Sequence, residues 1–80
     1  MNYKELDIVV LLRDLPEDAL RRNDTGTIVH LHTADAFIVE FLDASGDTVA
    51  VVELTAADVR PLAPDEPLAV RRRTATPLGA

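Results

Sequence analysis

His30 and His32 stand two apart in an apolar run, so on a strand their imidazoles share one face and could chelate a metal ion. A stable site needs more ligands, which Asp35 or Glu40 would have to supply. Two polar residues on the exposed face of a strand are the simpler reading, and no metal or other cofactor is expected. Asp14, Glu17 and Asp18 form a carboxylate cluster of the sort that acid/base catalysis uses. That chemistry requires shifted pKa values in a dry pocket, whereas these acids flank Pro16 in a loop expected to be wet. With 4% aromatic residues, the chain has little to line such a pocket. Ser45 sits beside Gly46 in a turn, with no histidine near it in sequence to activate it. No catalytic residue is assigned, and the chain reads as a non-enzyme. Arg71, Arg72 and Arg73 could contact nucleic acid or an acidic partner, but three charges give only modest affinity in physiological salt.

The elements that would position these groups are short strands. Residues 7–13 are branched and bounded by charge, which suits a strand. Pro16 followed by two acids suits one helical turn, with Leu20 anchoring the loop on the core. Asn23 and Asp24 suit a tight turn, and Gly26 permits a bulge or a close backbone approach at the start of a strand that runs on to His32. Phe37 to Leu42 is the clearest strand. A hairpin loop follows, with Gly46 at a left-handed position, and then a fourth strand from Thr48 to Glu53. Thr55 and Asp58 have capping-box spacing, and Val59 to Leu62 makes a last short strand closed by Pro61. Five strands at this spacing, with one helical turn before the last, predict an all-β fold, a small SH3-like barrel over residues 1–62. Residues 63–80, with three prolines and a glycine, read as a mostly irregular tail.

Eighty residues make one domain near the lower size limit for a self-sufficient core. The absence of cysteine excludes disulfides and thiolate zinc sites, and a cytoplasmic protein is expected. The longest early apolar run, Ile8 to Leu12, is too short for a membrane span. Net charge is −6, unevenly spread: residues 1–62 carry −7 and residues 63–80 carry +1. An acidic body repels phosphate backbones and favours a basic protein partner, so nucleic acid is disfavoured.

The segments Leu6-Asp7-Ile8-Val9-Val10-Leu11, Asp14-Leu15-Pro16-Glu17, Asp24-Thr25-Gly26-Thr27-Ile28-Val29 and Val39-Glu40-Phe41, with Gly46, resemble a bacterial family of short proteins. The family is catalogued as domain of unknown function 4926, and the resemblance covers about residues 5–62. It implies an SH3-like fold without enzymatic activity or cofactor, and a role as a small accessory or antitoxin-like partner protein. One departure stands out: a glycine is common in that family where this chain has Ala19. A looser similarity, through Asp24 to Ile28, runs to the KOW-type barrels of ribosomal and transcription proteins. The basic loop residues such a role would use are lacking, since Arg21 and Arg22 lie among acids.

The remaining signal is an apolar surplus. Ile8, Val10, Leu12, Ile28, Phe37, Val39, Phe41 and Val52 are enough to fill so small an interior. Val9, Leu11, Val29, Leu31, Ile38, Leu42, Val49 and Val51 are then left for outer faces, where either strong strand coiling buries them on both sides of the sheet or they expose more apolar surface than a soluble monomer ordinarily does. The expected partner-binding residues are Val9, Leu11, Ile38, Leu42, Val49 and Val51. They suit a protein-protein interaction module, with a nucleic-acid-associated barrel or a self-associating barrel as alternatives.

Overall fold

A computed structural model describes residues 2–68. Five strands form one antiparallel sheet: β1 (Ile8–Leu11), β2 (Thr25–Thr33), β3 (Ala36–Leu42), β4 (Thr48–Thr55) and β5 (Val59–Pro61). Their order is β4-β3-β2-β1-β5. β2, β3 and β4 form a meander, and the chain then crosses back to lay β5 against β1. Among the described residues β4 and β5 do not pair with each other, so they are the two edges. Single 3-10 turns at Pro16–Asp18 and Ala56–Asp58 are the only helical segments among those residues.

Local chemistry accounts for the connections. Pro16 begins the first 3-10 turn with its ring-fixed φ, and Ala19 ends it in the left-handed region at φ 59°. Backbone bonds between Leu15 and Leu20 close that loop and bring Leu20 into the core. Asn23, at φ 79°, turns the chain into β2, where the buried Asp24 carboxylate accepts the Arg21 N–H at 2.9 Å. Asp43 organises the hairpin before β4, its carboxylate accepting the N–H groups of Ser45 and Asp47 at 2.9 and 3.0 Å. Gly46 takes the positive φ that this loop requires. Thr55 and Asp58 form the expected capping box.

The core gathers on one face. Phe37, Val39 and Phe41 alternate inward along β3 and meet Val9 and Leu11 of β1, Ile28 of β2, and Leu20, Leu54 and Val59. Gly26 is buried in β2 because a Cβ there would stand 2.6 Å from Val39 and 2.8 Å from Phe41. The close backbone approach expected at this position is what the packing requires.

The interior differs from the expected one at β1. Val9 and Leu11 are fully buried, whereas Leu12 is exposed and Ile8 half-buried. The reason is register: Val9 stands opposite Gly26 on one side and Pro61 on the other, which fixes its side chain toward the core. Val10 is also buried, outside the main cluster. Val9 and Leu11 are thus core residues and not partner contacts. Leu54 and Val59 join the core, and Val52 is only half-buried.

Candidate interaction surface

The opposite face of β2, β3 and β4 presents a mixed surface whose rows follow from the pairing. Thr27, Glu40 and Val51 lie across three strands in one row, and His30, Ile38 and Glu53 in the next. Leu42 stands opposite Thr48, whose hydroxyl donates to the Glu40 carboxylate at 2.8 Å. A bulge in β2 adds Val29 to this face. Ile28 pairs with Val39 and His30 with Ile38, so Val29 is the extra residue between them. That insertion shifts the alternation, and Leu31 packs against the core although it lies three residues from Ile28. Val51 is 55% exposed, Leu42 43% and Val29 41%, with half-buried Ile38 among them.

Three of the six expected contact residues therefore occupy this face together: Ile38, Leu42 and Val51. Val49 does not. A register shift between Phe41 and Leu42 makes it the extra residue of β4, and its half-buried side chain packs against the core. Arg71, Arg72 and Arg73 lie outside the described residues. Leu6 is an apolar residue that sequence reasoning left out. It is 77% exposed, its N–H donates to Ile28 O at 2.7 Å next to Val29, and its φ is 76°. A leucine between Glu5 and Asp7 gives no periodic signal of exposure or of positive φ.

Acids rim the apolar stripe. Glu5 reaches to 3.9 Å from His30 Nδ1 and Glu53 to 3.7 Å from His32 Nε2, while the two imidazoles meet edge to face at 4.8 Å. The histidines share a face as their spacing predicts. Among the described residues no group of three His, Cys, Asp or Glu side chains is placed to hold a metal ion. Asp14, from the loop cluster, accepts the Arg22 N–H at 2.8 Å and so anchors a turn.

Two other charged groups are structural. Burial pushes the Asp58 carboxyl up, but bonds from the Thr55 backbone, the Arg13 guanidinium at 2.9 Å and the Thr55 hydroxyl outweigh it and hold the group below the usual range. Arg60 grips Glu66 in a bidentate pair at 2.8 and 2.7 Å. That pair and the Ala63 N–H lower the Glu66 carboxyl to about 2. Elsewhere, an open hollow of about 370 Å³ lies between the N-terminal segment and the residues after β5, walled by Tyr3, Asp7, Ile8, Leu62 and Pro64. Burial, and then the Asp7 charge, raise the Tyr3 hydroxyl's pKa.

Residues 5–61 match the family described as a domain of unknown function, DUF4926. The chain belongs to that family. No curated protein and no solved structure matches it. The DUF4926 match begins at Glu5, takes in every strand and stops at Pro61, the last residue of β5. All the apolar residues of the outer face lie inside it. The Arg60–Glu66 clip straddles its end, so the partner of Arg60 comes from outside the family region.

Proposed function

We propose that this chain is a non-enzymatic protein-interaction module, a small accessory or antitoxin-like subunit of a bacterial cytoplasm. It binds a protein partner through the outer face of β2, β3 and β4. The observation that carries this reading is the stripe of Val29, Leu42 and Val51, each more than two-fifths exposed with half-buried Ile38 on the same face, whereas ten other large apolar side chains among the described residues are buried. Glu5 and Glu53 lie at the rim of the stripe, and Glu40 lies within it between Ile38 and Leu42; these acids suit a partner that brings basic residues to an apolar contact. The strand order, with β5 returning to β1, is compatible with a small SH3-like barrel, and we read the fold so. Such a barrel would hold the three-stranded face rigid and lower the ordering cost of binding.

The test is a pull-down from the native cytoplasm at low and high salt, using the wild-type chain and the variants Leu42→Asp and Ile38→Asp. A stoichiometric protein retained by wild type at high salt, and lost by both variants while their thermal unfolding midpoints stay cooperative, supports the reading. Equal retention of that protein by wild type and both variants overturns it.

A further inference from the structure

The two edges of the sheet are unlike. β5 is three residues long, ends in Pro61, which has no N–H, and the Arg60 guanidinium donates to the Pro61 carbonyl at 3.1 Å. Those are the protections natural edge strands carry. β4 has eight residues, Thr-Val-Ala-Val-Val-Glu-Leu-Thr, with strong β-propensity, no proline, no lysine or arginine, and one acid. The loop bearing the first 3-10 turn comes up against β4. Yet among the described residues no backbone hydrogen bond joins residues 49–54 to anything other than β3. An open edge of this length presents several N–H and C=O groups ready for another strand.

We propose that a second copy of this chain pairs antiparallel along β4, about a twofold axis at Val51, to make one ten-stranded sheet. The strand is self-complementary in this register. Val51 meets Val51 of the other copy on the outer face, and Ala50 meets Val52. The regular pairing spans Ala50 to Val52, since the bulge at Val49 ends the alternation, and the two Glu53 carboxylates, the sole charges on β4, stand about 13 Å apart on a rise of ~3.3 Å per residue. That exceeds the screening length of roughly 8 Å in physiological salt, so the acidic chains tolerate the contact. A pairing centred on Glu53 would set the two carboxylates directly against each other and is excluded by the same reasoning. The dimer also places two copies of the Ile38, Leu42 and Val51 stripe side by side, a doubled surface for one extended partner or two.

The absence of cysteine makes the register directly testable. Across the axis, Val51→Cys brings its two Cα atoms to about 4.5–5.5 Å, within the span a disulfide bridges. Mild oxidation of the full chain is expected to give a linked dimer for Val51→Cys and little for Glu53→Cys. Light scattering on the wild-type chain is expected to rise with concentration toward twice the 8.7 kDa protomer mass, and Val51→Lys to remain monomeric with its unfolding transition intact. A wild-type chain monomeric at all concentrations, or equal crosslinking of the two cysteine variants, overturns the proposal. Leu42 lies on β3, away from this edge. A monomeric chain that still captures its partner through Leu42 would therefore refute the dimer and leave the partner reading standing.

Discussion

Three residues carry backbone or steric constraints that fix how they respond to substitution. Gly26 has no room for a methyl group, since an added Cβ would press on Val39 and Phe41 in the centre of the core. Gly26→Ala should cost about 1–3 kcal/mol through overpacking, read as a lower urea midpoint with an unchanged slope. Ala19 is the opposite case. It holds a left-handed conformation that favours glycine, so Ala19→Gly should stabilise the fold by up to ~1 kcal/mol, the relieved strain exceeding the entropy glycine adds to the unfolded chain. A destabilised Ala19→Gly variant would show that the first 3-10 turn is held by something other than that φ. Leu6 combines both themes: a bulky side chain at φ 76°, projecting into solvent beside β2. Strain of this type costs of order 1–3 kcal/mol and persists where it serves a purpose. Leu6→Gly should raise the unfolding midpoint while weakening capture of the partner, a trade that a purely structural Leu6 would not show.

At the scale of elements, what the sequence makes legible depends on whether each strand carries a marker of phase. In β3, Glu40 sits between apolar neighbours and labels the outer face, so Ile38 and Leu42 are readable as surface and Phe37, Val39 and Phe41 as core. In β1 all of Ile8 to Leu12 are apolar, and alternation alone cannot say which set points inward. The phase comes from partners distant in sequence, Gly26 and Pro61. The bulges at Val29 and Val49 have no glycine to announce them, and each shifts its strand's alternation by one, sending Leu31 and Val49 to the core. Turns were legible because they rest on local chemistry, as with Asn23, Asp43, Gly46 and the Thr55–Asp58 capping box. The Arg60–Glu66 clip was not, because its geometry depends on how the chain leaves β5. That clip has a pH signature. The Glu66 carboxyl falls from its ordinary 4.5 to about 2 on folding. Its contribution is therefore fully present above pH 4.5 and lost as pH falls from there through about 2. Amide exchange at Glu66, whose N–H bonds to Ala63 O, should accelerate relative to the β3 amides across that window. Glu66→Gln should show the faster exchange already at neutral pH. Equal protection in both proteins would mean the turn holds without the ion pair.

On the whole-molecule scale, charge and apolar surface act on different stages of association. A chain of net charge −6 creates a field that would orient the proposed basic partner before contact, whereas the apolar stripe would act only once water had been expelled from it. Long-range steering changes the association rate and is weakened by salt; desolvated packing sets the dissociation rate. Glu5 and Glu53 sit at the rim, each facing one histidine at close to 4 Å and otherwise toward solvent, so reversing them disturbs little packing. The double variant Glu5→Lys and Glu53→Lys should slow association by roughly tenfold at low salt, converge on wild type as salt rises, and leave dissociation nearly unchanged. Leu42→Asp should do the reverse, with faster dissociation at every salt concentration. Stopped-flow or surface-plasmon traces on the captured partner separate the two. If the lysine variant instead accelerates dissociation, Glu5 and Glu53 are in the desolvated contact itself. The surface would then extend across the histidine pair toward the β2 hairpin.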